Sequence, residues 1–545
     1  MKKYISTILI TLAIAGSSCK KTYLSELALN PNTPAVSTPA LQLTGALTRT
    51  ATITNGTSQV QYLGWSGYMA YSTSFQPSPS LLLYSITTDT YDNFSSLYLN
   101  IANYNAILTL TTEPNFQAIA KIMIAYDFQQ LVDQYNNVPY SAALKGADNL
   151  TPTYDNGSAI YDDLIKQLDA AIALINNAPS TAAFPVKADL VYGANSKAGM
   201  LKWAAFANTL KLRIAVRQSS NTALFTAKKA ALTASLSATA SLGYITTTTE
   251  GNVNPGYTNT DVLQAPLDVA YGYKANGGTQ TSNPVYQANT FAINFFVNSG
   301  AGNASVPAPN YPVSAGGAAP SAALGWNGSL GAAGGPSTAS NPNDLRLFQI
   351  YAPSTSTAAG GAVIGTRLGE TQPPTVGGVG VTPSRLSSFV LSPTKSAPLI
   401  NAAEAFFLQA EAIKAGLLPG GIPEQTAAYN AGVTASFTEL GLTVAQAATY
   451  LTTHAYPAAG SDDLREEAII TQKWAALDPY FALEAYTELR RTGYPKVPLS
   501  VLTGVTATQY VQRLPYPTTE FNTNGTNVTA QTGGTDIYSK IFWAK

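Results

Sequence analysis

Proton transfer at neutral pH needs a group that titrates there, and this chain of 545 residues holds one histidine, His454, and one cysteine, Cys19. A Ser-His-Asp system would have to run through His454, in the stretch Thr453-His454-Ala455-Tyr456-Pro457. No G-x-S-x-G elbow accompanies it, because Gly64-Trp65-Ser66-Gly67 is one residue short. His454 therefore reads as a loop or surface residue. Zinc sites need clustered His and Cys, which are lacking. An all-oxygen calcium site in an Asp/Asn loop stays open, without an EF-hand pattern. Gly377-Gly378-Val379-Gly380 lacks the strand–helix context of a phosphate loop. No cofactor is expected. Thirty acids leave a glycosidase pair arithmetically available. Yet Asp162, Asp163, Glu404, Glu411, Asp462, Glu466 and Glu467 fall at helix starts or on polar faces, where capping and solvation account for them.

Recognition without reaction remains. Sugar faces carry C–H groups that stack on rings, and their hydroxyls pair with amides and hydroxyls. Trp65, Tyr68 and Tyr71 in an early Gly/Ser-rich stretch, with Tyr271, Tyr273 and Trp326 farther on, are the candidate binding rings. Ordinary loop packing is the alternative for each. Trp203 and Trp474 sit on helical stripes and read as core. Charged residues are only 11%, with Lys+Arg and Asp+Glu balanced at 30 each, which argues against nucleic acid as a partner. Such a surface suits neutral ligands, or simply life outside the cell.

Residues 1–18 read as a signal peptide: Lys2 and Lys3, an apolar run from Tyr4 to Ala15, then Gly16-Ser17-Ser18 before Cys19. The run is too short to span a bilayer as a permanent helix. A cysteine directly after small residues resembles a bacterial lipoprotein cleavage site, with Cys19 as the lipidated first residue. An ordinary cleaved signal is the alternative. Residues 19–38 form a Pro-broken tether.

Helices must position whatever the loops display. From 39 to 250 the apolar spacing is helical: Leu43, Leu47 and Thr50, then Leu97, Ile101, Tyr104 and Leu108, then Ile119, Met123 and Tyr126. Ile160, Leu164, Leu168, Ala171 and Ile175 make the cleanest amphipathic stripe. Lys197–Gln218 and Thr222–Ala240 follow, their charges expected on solvated faces. Thr54–Leu83 reads as irregular. Residues 251–398, rich in Gly, Ala, Ser and Thr, read as a loop-rich insertion, part ordered because aromatics stud it. Helical pairs return over 399–545, with an irregular tail of the same domain after Pro498. In Ser461–Pro498, Asp463 with Glu466 is expected to form a capping box. Asp478-Pro479 is expected to open the second helix as N-cap and first residue, and Gly493 to close it.

The stretch EAIITQKWAALDPYFALEAYTELRRTGYP resembles the C-terminal signature of the SusD/RagB-like nutrient-uptake lipoproteins. LALNPNTPA, DQYNNVPYSAAL, IYDDLIKQLDAAIALI, KWAAFANTLKLRIAVR and NAAEAFFLQAEAI resemble that family in the same order. The resemblance implies a mainly α fold, a tetratricopeptide-like helix-pair scaffold carrying a large loop-rich insertion. It also implies a non-enzymatic, lipid-anchored protein facing outward on the outer membrane. Such a protein binds an oligosaccharide or other nutrient and passes it to a TonB-dependent SusC-like porin. Binding aromatics in the two regions named above follow from the family only by region. A surface glycoside hydrolase or peptidase, and a helical-repeat peptide binder, are the rival readings.

Overall fold

In a computed structural model the described residues are 37–73, 79–298, 344–359, 362–376, 378–531 and 534–545. Cys19 and Trp326 lie outside them. The frame is helical: α1 (Pro39–Asn55), α2 (Asn93–Leu110), α3 (Pro114–Tyr135), α4 (Gly157–Asn177), α5 (Lys197–Arg217), α6 (Thr222–Ala238), α7 (Ala402–Ala415), α8 (Ile422–Glu439), α9 (Val444–Thr453), α10 (Asp462–Leu477) and α11 (Ala482–Thr492). Each of α1 to α5 packs on the next. α7 pairs with α8, and also lies against α5 and α10. This is the mainly α, tetratricopeptide-like arrangement expected.

Local chemistry starts the helices where the sequence places them. Thr38 caps α1 ahead of Pro39, Asp92 caps α2, Asn156 caps α4 and Ser196 caps α5, each side chain accepting a backbone N–H of the first turn. The whole α4 stripe, Ile160, Leu164, Leu168, Ala171 and Ile175, is buried. Trp203 and Trp474 are buried too, in keeping with their place on helical stripes.

Four expectations need correction. Ser461, not Asp463, caps α10 by accepting from Leu464 N at 3.2 Å. Asp478 does not open α11, because its carboxylate is turned inward to accept the Tyr351 hydroxyl at 2.7 Å, and α11 begins only at Ala482. His454 is buried rather than on the surface. It ends α9 with its ring stacked 3.8 Å from the Tyr450 ring. Residues 54–83 are more regular than expected, holding a helix at Val60–Trp65 and a strand at Met69–Tyr71.

The largest correction concerns charge. Lys211, Arg213 and Arg217 of α5 have no exposed surface at all, against the solvated face expected. Arg213 forks onto Glu404 of α7 through two 2.7 Å hydrogen bonds. Arg217 joins Asp133 of α3 to Glu484 of α11. Lys473 reaches Glu488 at 2.9 Å, and Arg491 reaches Glu411 at 2.6 Å. Burial opposes ionisation of Glu488, but Arg491 and Lys473 outweigh it and hold that carboxyl well below the usual range. Glu404 and Glu411 are therefore interior partners, not solvated caps. Ions this deep persist only when paired and hydrogen-bonded.

Two short antiparallel ladders tie the insertion to the frame. β2 (Gly251–Val253) pairs with β4 (Ala397–Ile400), which closes the insertion at its base. A Cβ on Gly251 would lie 2.5 Å from the Phe206 ring, so only glycine lets this strand sit against α5. β1 (Met69–Tyr71) pairs with β3 (Tyr286–Ala288). Insertion residues such as Tyr271, Ile293, Tyr351 and Val390 share one core cluster with the frame helices.

Candidate ligand-binding site

The β1–β3 ladder brings together two stretches that lie far apart in the chain. Its register sets Tyr71 opposite Tyr286, Ala70 opposite Gln287 and Met69 opposite Ala288. Cross-strand side chains meet at this spacing. The Tyr71 and Tyr286 rings lie 5.0 Å apart, and Tyr271 stands edge-on to Tyr286 at 5.1 Å. Tyr71 and Tyr271 are buried, which drives both hydroxyl pKa values upward; Tyr286 is half-buried. The result is a wall of three tyrosines, of which Tyr286 is the least buried.

Outside the wall sits a hairpin with Tyr273 bridged to Thr279 and Gly277 at its turn with φ +83°. Asp261 Oδ1 accepts from Ala275 N at 2.7 Å, and Gln264 Nε2 donates to Tyr273 O at 2.9 Å, so the 258–264 loop buttresses the hairpin. Tyr273 is 40% exposed, beside Val262 at 87% and the exposed Leu263. Val262 holds φ +66°, a left-handed conformation that β-branched residues rarely adopt. Beneath the hairpin, Asp268 is 1% exposed. Burial pushes its carboxyl up to about 6, and the Tyr273 amide pulls it back only in part. Asn283 completes the support: its Nδ2 donates to Tyr271 O at 2.7 Å, and its Oδ1 accepts from Arg385 Nη1 at 2.8 Å.

Four of the six candidate rings are buried. Trp65 is buried and donates Nε1–H to Leu81 O at 3.2 Å. Tyr68 is buried against Trp474, ring to ring at 5.0 Å, and its hydroxyl donates to Trp474 O at 2.5 Å. Tyr71 and Tyr271 form the inner wall. None of these four presents a free face, because large apolar rings beside helices gain more from the core than from water. Tyr273 alone among the described candidates is open. Trp326 is not among them.

The profile of the SusD-like family described as starch-binding and associating with the outer membrane matches residues 31–275 and 338–517. The chain belongs to this family. Among curated proteins none matches. Solved SusD-like structures share the fold. A SusD homologue from Bacteroides uniformis is 24% identical, covering 92% of this chain and 99% of its own, with a TM-score of 0.64. A SusD-like protein from Bacteroides thetaiotaomicron is 21% identical, covering 92% and 98%, at 0.65. A chitin-binding SusD homologue from Flavobacterium johnsoniae is 20% identical, covering 92% and 98%, at 0.65. Among the described residues no helix is long and apolar enough to cross a membrane.

The family match breaks between 275 and 338, so Tyr286 and Asn283 stand in a part of this SusD-like chain that the profile does not cover. Reading the sequence missed Tyr286, Asn283 and Arg385 as members of one group. The register of two three-residue strands has no local signature, and it is that register which assembles them. A separate gathering of titratable groups lies at the base of the insertion. Glu250 accepts from Ala402 N at 3.2 Å, and Glu439 accepts from Asn401 Nδ2 at 2.8 Å. Burial raises both carboxyls, while Lys395 lies 4.1 Å from the Phe389 ring centre.

Proposed function

We propose that this SusD-like chain is a non-enzymatic surface lipoprotein, anchored to the outer membrane through lipid on Cys19. It captures a saccharide, or another nutrient, and hands it to a TonB-dependent SusC-like transporter. The observation that carries the binding site is the tyrosine wall: Tyr286, half-buried and backed by Tyr71 and Tyr271, with the exposed Tyr273 two residues beyond Tyr271 in the chain. A ring held by buried neighbours loses little freedom on binding, which favours stacking on a sugar face. Trp65 and Tyr68 belong to the packing that steadies β1. Trp326 is proposed as a further ring of the site. The family's description as starch-binding and outer-membrane-associated supports this reading, as does the chitin binding named for the F. johnsoniae structure.

Calorimetry against a panel of neutral and charged oligosaccharides tests it. The expected result is saturable binding of at least one glycan without product, weakened by Tyr286→Ala. Turnover of a labelled glycan would replace the binding reading with an enzymatic one. Cys19→Ala is expected to release the protein from the membrane fraction, and continued lipid labelling of that variant would refute the anchor. Recovery of a soluble peptide partner instead of a porin in a pull-down would favour a peptide-binding scaffold.

A further inference from the structure

The charges of the insertion are few enough to account for one by one. Residues 251–398 carry Asp261, Asp268, Lys274, Asp344, Arg346, Arg367, Glu370, Arg385 and Lys395. Arg346 is paired with Asp344. Arg367 is paired with Glu370. Lys395 lies over the Phe389 ring, near Glu439 and Glu250. Asp261 is spent on Ala275 N, and Asp268 is buried beneath the hairpin. Two cations are left beside the tyrosine wall. Lys274 is exposed next to Tyr273. Arg385 is half-buried and gives Nη1 to Asn283, and among the described residues no carboxylate pairs with it. Outside the described residues the sequence holds one acid, Glu26.

Arg385 is also held in place. Ser384 O accepts from Ala288 N at 2.7 Å, so this segment runs beside β3, and Arg385 O accepts from Ala352 N at 2.9 Å. Its guanidinium meets the side chain of Asn283, which in turn fixes the Tyr271 carbonyl. A guanidinium offers five donors in a planar fork that matches carboxylate or sulfate oxygens. Here one nitrogen is spent on an amide. A half-buried arginine without a counter-charge loses part of its hydration, and an anion arriving from outside would offset that loss.

We infer that the ligand carries an acidic group, carboxylate or sulfate, on a saccharide. Arg385 pairs with that group, Lys274 adds attraction at the rim, and the sugar ring stacks on Tyr286 and Tyr273. This deepens the proposed function and rests on it.

The test is calorimetry of the full chain with tetragalacturonate, a sulfated galactan tetrasaccharide and neutral galactotetraose, beside neutral chitotetraose and maltotetraose. One acidic probe is expected to bind about tenfold or more tighter than any neutral one, as a charge-assisted hydrogen bond implies. Which acidic probe wins tells carboxylate from sulfate. Arg385→Gln keeps an N–H for Asn283 and is expected to erase the preference while the unfolding midpoint holds. Raising salt on the wild-type protein should weaken the acidic probe alone, a measurement that needs no variant. Neutral probes bound as tightly as acidic ones, or a preference that survives Arg385→Gln, would overturn the inference and leave the binding role standing. Binding of no saccharide at all would overturn both.

Discussion

The helical frame and the insertion use charge in opposite ways. The frame takes Arg213, Arg217, Lys473 and Arg491 out of water and closes each on Glu or Asp from another helix. The insertion closes Arg346 on Asp344 but leaves Arg385 with an amide partner, Asn283. A chain with 11% charged residues has little to spare, so where a charge is unmatched is informative. In the frame, these pairs cross between helices, and the buried Arg490 is held by the carbonyls of Asp133 and Gln512. In the insertion, Arg385 is bonded to Asn283, and the acidic ligand proposed above would supply its counter-charge.

Breaking the frame's pairing should have the largest effect. Glu404→Ala removes both short bonds of the Arg213 fork and leaves the buried guanidinium only Gln129 at 3.2 Å and Glu484 at 3.5 Å, and the expected loss is about 3–5 kcal/mol in denaturant unfolding. Joining it to Arg213→Met should recover much of that loss, because the remaining hydrophobic pair carries no uncompensated ion. A double variant no more stable than the single one would show that the pair does more than neutralise itself.

The seam between the two regions should show in pH. Asp478 of the frame accepts the hydroxyl of Tyr351 from the insertion, and burial pushes its carboxyl up to about 8. Burial likewise pushes Asp127 of α3, which accepts from Asn100 of α2, up to about 8. An unfolded Asp loses its proton near 4, roughly. Between that pH and about 8 the folded state therefore holds protons that the unfolded state has released. Stability is full below that window and falls as pH rises through it. Asp478→Asn keeps an oxygen for Tyr351 and removes one such group. Its thermal midpoint should drop less than the wild type's between pH 5 and pH 8.5, roughly the window these shifts define.

What could be read from the sequence was whatever repeats locally. The α4 stripe is legible because 3.6-residue spacing alone puts five apolar residues on one face. Gly493 is legible as the end of α11 because an αL residue after a basic last turn is a local feature. Arg213 and Glu404 lie 191 positions apart, and no periodicity links them; read singly, each looks like a solvated charge. The same holds at the site. Trp65 and Tyr68 looked like loop rings because Gly and Ser surround them, yet the neighbours that bury them, Leu81 and Trp474, come from elsewhere in the fold. The exposure of Tyr273 fits a ring in a Gly-rich stretch, whereas nothing near Arg385 in the sequence shows that its partner is Asn283, 102 positions away.

On the insertion side the effects should be smaller and confined to binding. Tyr273→Ala removes an exposed ring, so stability should stay within about 0.5 kcal/mol while glycan affinity falls severalfold, read by calorimetry. A midpoint that drops as it would for a core tyrosine would move Tyr273 into the packing group with Tyr271.

Val262 gives the finest discrimination. It stands 87% exposed at φ +66°, so it gains almost no burial and bears the cost of a left-handed backbone, of order 1–3 kcal/mol for a residue without that preference. Glycine adopts the conformation without a Cβ clash but is freer when unfolded, so the two terms partly cancel. Val262→Gly should therefore raise stability by about 1 kcal/mol or less. If the valine is held out as an apolar contact beside Tyr273, the same change should weaken glycan binding. Stability gained with affinity lost would mark the loop as built for its ligand, whereas stability gained with affinity unchanged would make Val262 a strained turn residue within the 258–264 loop.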